Sequence, residues 1–310
     1  VPPYLLFPSL PLVGLLMIFQ TLRHAFRFRG ILGSAVFFTV NAYPALIGII
    51  LRQLHIVSRV YYWVWDYYPV RSPSVPLRMI RYAYLAFDLV ALRLADKLIF
   101  PNHRQLLLRQ KLHGIRGNYP IIPLGGGKPI RYHKSVSNIL GFLGMLKSSQ
   151  GLDLVLSCFD QLLLRNPNIC LEIVGSGPEE EYMRKKAKKY GTKVKFYGFV
   201  ENQNRLNRIA RRWFAGLALY EPIAGNESYF GDPSKIKVYL SQGVPIITTN
   251  VTEYGRLAEK YQFGKLIRYN PRMLNAAIQH LHHKQLSYRA HALSYAQKFY
   301  YRDLYQTLFK

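Results

Sequence analysis

The chain has 310 residues, room for one large domain or two ordinary ones. Half of them are hydrophobic, ample for a core, and the two cysteines, Cys158 and Cys170, are too few for a disulfide scaffold or a zinc site. The formal net charge of +26 excludes a neutral or acidic surface and draws polyanions: a nucleic acid, an acidic membrane face or a phosphate-bearing substrate. Acids are scarcest in residues 1–128, where Asp66, Asp88 and Asp96 are the only ones. Both cysteines lie in apolar stretches and are expected as buried thiols.

The apolar start from Tyr4 to Phe19 is cut by Pro8 and Pro11, and the clean run left, Leu12 to Phe19, is too short to span a bilayer. No charged segment precedes it, so a signal peptide is not expected. It leads into Arg23, Arg27 and Arg29, with Phe26 and Phe28 between them. Two readings stand: a core helix with a solvated basic end, or a segment lying on an anionic membrane surface.

Short β-rich runs then alternate with longer helical ones. The first half predicts strands over 35–40, 57–64, 97–100 and 119–122. Helices are predicted over 44–54, with Pro44 in its first turn, 75–94 and 104–111. The strands are continuous apolar runs, as buried parallel strands are, and the alternation argues for a parallel α/β sheet. Gly125-Gly126-Gly127-Lys128-Pro129 breaks the pattern and is read as the linker between a domain over 1–128 and a second over 129–286.

The alternation restarts beyond it. Strands are predicted over 138–143, 169–174, 194–197, 215–220, 245–248 and 265–267. Helices are predicted over 152–164, 179–189, 203–212, 234–241, 257–261 and 273–282, with a last one over about 288–305 in a C-terminal segment 287–310. That is a full six-strand doubly wound set, whereas the first half has only about four strands and reads as incomplete at its start.

Two segments carry the chemistry. Leu171-Glu172-Ile173-Val174-Gly175-Ser176-Gly177-Pro178 ends a strand in Gly-x-Gly-Pro and opens an acidic helix. Such glycines let backbone turn sharply and approach a ligand, and they equally serve ordinary strand–turn–helix packing. From Tyr220 to Thr249 a strand ends, a polar loop carries Asn226, Glu227, Ser228 and Asp232, and Pro233-Ser234-Lys235 opens a helix. A helix N-terminus with a serine and a lysine suits a diphosphate; the plainer reading is a capped helix with solvent-facing lysines.

In order along the chain, Ile139-Leu140-Gly141-Phe142-Leu143-Gly144, Gln150-Gly151-Leu152-Asp153, Ile173-Val174-Gly175-Ser176-Gly177-Pro178, Val194-Lys195-Phe196-Tyr197-Gly198-Phe199-Val200, Asp232-Pro233-Ser234-Lys235, Tyr239-Leu240 and Gly243-Val244-Pro245-Ile246-Ile247 stand at family-like spacing. Together they resemble the donor-binding domain of glycosyltransferase family 4. The resemblance implies the GT-B fold, two Rossmann-like doubly wound parallel-sheet α/β domains facing a cleft, here starting midway through the first. It implies a last helix that crosses back onto the N-terminal domain. Fainter matches in the first half are Asn41-Ala42-Tyr43-Pro44-Ala45, Trp65-Asp66, Asp88, Leu92 to Asp96 and Pro123-Leu124-Gly125.

The implied reaction is retaining transfer of a hexose from a nucleotide-diphosphate sugar to an acceptor hydroxyl. The donor is a substrate, and no cofactor or metal is expected. By the same resemblance Gly144, Lys147, Gly175, Gly177, Val200, Glu227, Ser234 and Lys235 would bind the donor. Asp66, Asp232 and Lys235 would serve catalysis, and Asn41, Tyr43 and His103 would lie on the acceptor side. For Asp66 and His103 the plainer readings are a loop-capping carboxylate and a surface residue at a helix start. The chain also departs from the family. Met145 and Gln150 stand where the family has an Arg and a Lys on the diphosphate, and Phe230 and Val238 stand at its paired glutamates. Asp232-Pro233-Ser234-Lys235 matches a "D-P-S-K" variant, which would put Lys235 on the phosphates and Asp232 near the sugar.

The basic first half suggests a carbohydrate or lipid-linked acceptor that is anionic or held at a membrane, and a protein in the cytoplasm on the inner membrane face. The alternatives are a non-catalytic GT-B homologue binding a nucleotide or a membrane surface, and a nucleotide-sugar epimerase. The basic run Arg184 to Lys195 reads as a solvated helix face, because no aromatic stacking platform accompanies it, so nucleic acid is not an expected partner.

Overall fold

The computed structural model describes residues 10–65, 67, 75–223 and 226–308, without the side chains of residues 10–17, 32, 77 and 227. The chain divides into two compact units, Val1–Ile122 and Pro123–Lys310.

The first unit runs α1 (Leu10–Arg27), α2 (Arg29–Leu32), β1 (Val36–Thr39), α3 (Ala42–Gln53), β2 (Arg59–Trp63), α4 (Val75–Leu94), β3 (Lys97–Ile99) and α5 (His103–His113). Its strands are parallel in the order β1-β2-β3. The strand predicted over 119–122 reduces to one parallel bridge between Phe100 and Ile121. Pro11 does not stop α1, because a proline in the first turn removes only an N–H that has no intrahelical partner. Ala42, Ala45, Tyr62, Val64, Leu98 and Phe100 form the core. Inside it the Tyr62 hydroxyl donates to Asp88 at 2.6 Å, and Arg109 meets the same carboxylate at 2.7 Å with both side chains fully buried. Asp88 thus holds α4 to β2 and α5.

The second unit runs β4 (Ile139–Leu143), α6 (Leu152–Ser157), α7 (Phe159–Arg165), β5 (Cys170–Val174), α8 (Glu180–Ala187), β6 (Val194–Phe196), α9 (Gln203–Ala210), β7 (Trp213–Ala218), α10 (Ser234–Ser241), β8 (Ile246–Thr249), α11 (Tyr254–Lys260), β9 (Gly264–Ile267), α12 (Pro271–His283), α13 (Gln285–Ala296) and α14 (Tyr301–Tyr305). Its six strands are parallel in the order β6-β5-β4-β7-β8-β9. Alternate residues feed two apolar layers: Ile247 joins Leu140 and Leu171 on one face, and Ile246 joins Trp213 and Ala218 on the other. Burial on both faces is why the strands read as continuous apolar runs.

Four expectations are corrected. The helix over 152–164 is broken at Cys158, where the Ser157 hydroxyl turns back to the Leu154 carbonyl at 2.8 Å and the Cys158 thiol to the Val155 carbonyl at 3.5 Å. Cys158 is buried, and burial pushes its thiol up to about 11, but Cys170 at the start of β5 is only half-buried. The last helix is broken at Tyr300, whose ψ of 113° is extended. There the Gly126 N–H donates to the Phe299 carbonyl at 2.6 Å and the Tyr301 N–H to the Gly126 carbonyl at 3.1 Å. A Cβ on Gly126 would lie 2.9 Å from Lys237 Cβ. The glycine run read as the linker is therefore a packed seam inside the second unit.

Three bases of the run Arg184 to Lys195 are paired, Arg184 with Glu180, Lys186 with Asp153 and Lys189 with Asp160. Deeper, Glu172 on β5 accepts from Trp213 Nε1 at 2.8 Å and from the Tyr197 hydroxyl at 2.9 Å. The Trp213 ring lies flat over Gly141, where a Cβ would sit 1.8 Å from it. Gly141→Ala should force the indole off Glu172 and lower stability by about 3 kcal/mol, read as a shift of the urea midpoint at unchanged slope.

Candidate functional site

β4 and β7 are neighbours, but the chain proceeds from them to opposite edges of the sheet. In open α/β sheets the crevice beyond the carboxyl ends of such a strand pair is where ligands bind. Two loops meet there: residues 144–147 after β4, and residues 219–233 after β7, which lead into α10. Tyr239 on α10 docks the helix. Its hydroxyl accepts from the Leu143 N–H at 2.8 Å and donates to the Leu217 carbonyl at 3.2 Å. Its ring covers Gly216, where a Cβ would lie 2.7 Å away.

Lys235 stands four residues earlier on the same helix face. It is buried, and its Nζ donates to Gln150 Oε1 at 2.7 Å. The ammonium lies 4.7 Å from the ring centre of Tyr220 and 5.1 Å from that of Phe142. It also sits 3.2 Å from where a Cβ on Gly144 would be. Among the described residues no carboxylate pairs with it. Burial, reinforced by the charge of Lys147, pulls its amine down from 10.5 to about 7. The plainer reading of solvent-facing lysines is thereby corrected for Lys235. Ser234 is exposed at the first residue of α10, and Pro233 before it supplies no side-chain cap. The start of α10, with Ser234 and Lys235 in its first turn, is thus suited to an anion.

Gly144, with φ of 146°, brings backbone beside that amine. Gly175 and Gly177 have another use. A Cβ on Gly175 would lie 1.9 Å from the Gly144 carbonyl oxygen, and one on Gly177 would lie 2.5 Å from that of Leu146. The Gly144 N–H donates to the Val174 carbonyl and the Leu146 N–H to the Ser176 carbonyl, both at 3.0 Å. These glycines let the loop after β5 lock onto the loop after β4. Lys147 is half-buried in that locked loop. Val200 packs inward with Val174 and Leu206, and Phe199 next to it is exposed.

The "D-P-S-K" resemblance would put Asp232 near the sugar, and in the structure its carboxylate is used within the unit. Its carboxylate pairs with Lys237, accepts from the Tyr254 hydroxyl at 2.8 Å and accepts from the Leu124 N–H at 2.5 Å. Both oxygens are engaged inside the unit, so Asp232 is an internal brace. Glu227 begins a one-turn 3-10 helix, Glu227–Tyr229, and its side chain lies outside the described set.

In the first unit, Asn41 caps α3, its Oδ1 accepting from the Tyr43 N–H at 3.2 Å. The Tyr43 ring packs on Tyr84 and Phe87, and desolvation raises its hydroxyl pKa. His103 is the exposed first residue of α5, whose cap is Asn102. Asp66 lies outside the described residues. No group of three or more His, Cys, Asp or Glu side chains among the described residues is placed to hold a metal ion.

A family profile described as glycosyl transferases group 1 matches residues 130–299, more than half of the chain. The chain belongs to that family. No curated protein sequence matches it. Among solved structures it is similar to sucrose-phosphate synthase from Thermosynechococcus elongatus, with a TM-score of 0.73 and 16% identity over 99% of this chain and 78% of that one. It is similar to HepE of Anabaena in complex with UDP, with a TM-score of 0.69 and 16% identity over 92% and 79%. It is also similar to the pneumococcal O-GlcNAc transferase GtfA in complex with UDP and GlcNAc, with a TM-score of 0.62 and 14% identity over 88% and 55%. The chain thus spans about half the length of GtfA. At these identities the likeness is one of fold, the GT-B architecture of two parallel α/β units.

Gln150 and Asn226, named above as a departure from the family and as part of a polar loop, have definite partners in the group 1 domain. Gln150 stands where the family has a lysine, yet it is the acceptor for Lys235. Asn226 is buried and donates to the Glu221 carbonyl at 2.7 Å, fixing the loop before α10. Beside that loop a cavity of about 820 Å³ is lined by Ile223, Asn226, Tyr229, Phe230, Asn250 and Arg268. Asn250 and Arg268 directly follow β8 and β9, so their position just past a parallel strand was the available signal.

Lys235→Met should stabilise this domain. Between pH 7 and 10.5 the unfolded chain holds a proton on this lysine that the folded chain does not. The burden is complete below about pH 7 and disappears as pH rises through 10.5. Urea denaturation should therefore show a gain of several kcal/mol at pH 7 that shrinks toward pH 10.5.

Proposed function

We propose that the chain is the donor-binding part of a retaining hexosyltransferase that uses a nucleotide-diphosphate sugar. The observation that carries this reading is Lys235, a buried lysine with no carboxylate partner among the described residues, aimed from the first turn of α10 at Gly144. Loss of a nucleoside diphosphate builds negative charge on the leaving group. Lys235, the Ser234 hydroxyl and the first-turn amides are the groups that would stabilise it, with Lys147 alongside. Positive side chains carry that task in this reading. Membership of the group 1 family supports the reaction class. The UDP in the structures of HepE and GtfA supports the donor class.

We further place the chain in the family-4 branch with the "D-P-S-K" variant, and leave Asp232 to hold α10 and not to touch the sugar. On the acceptor side Asp66, Asn41, Tyr43 and His103 remain proposals. The acceptor is a carbohydrate or lipid-linked hydroxyl. The excess of positive charge in residues 1–128 supports one that is anionic or held at the cytoplasmic face of a membrane. No helix among the described residues is long and apolar enough to cross a membrane.

Calorimetric titration with UDP, GDP and their hexose conjugates, repeated on Lys235→Ala, tests the reading. One nucleotide should bind at micromolar to millimolar strength and bind at least about tenfold more weakly in the variant. Binding should take up protons above pH 7, because the diphosphate recharges Lys235, and should weaken as pH rises from 7 to 9. Heats measured in buffers of different ionisation enthalpy report that uptake. Folded protein that binds no nucleotide would leave the non-catalytic reading.

A further inference from the structure

The first unit carries a surface whose chemistry the donor site does not use. The C-terminal half of α1 packs inward through Ile18, Leu22 and Ala25 against Ile47 and Leu51 of α3. Its outward stripe, one helix face at spacings of four, three and one, is Phe19, Arg23, Phe26 and Arg27. Phe28, Arg29 and Ile31 continue it. The apolar members are open to solvent, Phe19 at 64% and Ile31 at 79%, and the Arg27 guanidinium lies 5.9 Å over the Phe28 ring. No Asp or Glu occurs before Asp66, and no ion pair is formed by Arg23, Arg27 or Arg29 among the described residues. Behind Phe28 and Ile31 an apolar cavity of about 630 Å³ reaches Phe37, Leu51 and Val57.

A cationic face alone would suit any polyanion, and exposed apolar groups alone would suit a protein partner. Their interleaving on one helix face suits one environment best. At a bilayer surface the rings and the isoleucine enter the headgroup–acyl boundary, and the guanidiniums reach the lipid phosphates. Nucleic acid would use the arginines and the rings, but it gives no role to Ile31 or to the apolar cavity behind it.

We infer that the outward face of α1 and α2, from Phe19 to Ile31, binds the surface of an anionic lipid bilayer without crossing it. Arg23, Arg27 and Arg29 select the charge, and Phe19, Phe26, Phe28 and Ile31 supply the insertion. This holds whether or not Lys235 binds a nucleotide, since the two features lie in different units.

The test is co-sedimentation of the full 310-residue chain with vesicles of phosphatidylcholine alone and of an equal mixture with phosphatidylglycerol. Binding is expected to the mixed vesicles only. Replacing Arg23, Arg27 and Arg29 together by Gln should lower it roughly a hundredfold. Phe19→Trp should show a blue-shifted emission, quenched by brominated lipid, with the mixed vesicles alone. Circular dichroism and nucleotide titration of each variant report whether it folds and keep a failure here separate from a failure at the donor site. Indifference to lipid charge, absence of a blue shift, tighter binding to RNA than to vesicles, or a dimer broken by Ile31→Ser without any change in vesicle binding would each overturn the inference.

Discussion

The Tyr239 hydroxyl bonds the last amide of β4 and a carbonyl of β7 at once, and α10 has its place because of that pair of bonds. The tyrosine reaches both strands only because Gly216 leaves room for its ring. The ring packs beside Trp213 at 5.9 Å, which rests on Gly141 and is held by Glu172. A row of buried side chains thus runs from the middle of the sheet to the helix. Lys235, one turn toward the N-terminus, is aimed at the end of β4 because the turn below it is fixed. Core packing and site geometry are the same set of contacts here, so a substitution such as Gly141→Ala reaches the site through the helix.

The loops are fixed by similar means. The loop after β5 reads like a phosphate cradle, but its two glycines are consumed in meeting the loop after β4 at distances no side chain would allow. Two exchanged amide bonds complete the lock. The result is a floor beside Lys235 that does not need to reorganise when an anion arrives, and preorganised dipoles stabilise charge best.

The strand–helix alternation was readable because parallel strands buried on both faces leave uninterrupted apolar runs, such as Ile139–Leu143 and Trp213–Ala218. The position of the site was readable too, since Pro233-Ser234-Lys235 opens a helix straight after a glycine-bearing loop. What was not readable lies between residues far apart in the chain. Gly125 to Gly127 has the composition of a hinge, and only the partners Lys237, Phe299 and Tyr301 reveal it as a seam. Asp232 has the sequence position of a sugar-binding carboxylate, and only Lys237, Tyr254 and Leu124 reveal it as a brace. Glycine and aspartate are ambiguous in this way because each serves packing and ligand binding with the same atoms.

Lys235 and Lys237 make the sharpest comparison in the molecule. They stand two residues apart on one helix, both buried, and burial lowers the amine pKa of each. The fold supplies Lys237 with a carboxylate, Asp232, which opposes that shift and keeps the pair as a structural unit. Among the described residues Lys235 receives the neutral Gln150, two aromatic faces and the repulsion of Lys147. Leaving a buried amine without a counter-charge is destabilising, and the unit tolerates it because a six-stranded sheet with two apolar layers stands behind it. In the proposed reading, the counter-charge of a group held at such a cost, beside two loops and a helix N-terminus, comes with the ligand. On that reading a diphosphate would restore to Lys235 what Asp232 gives Lys237, and the site should bind tightest the state in which the most negative charge sits beside that amine.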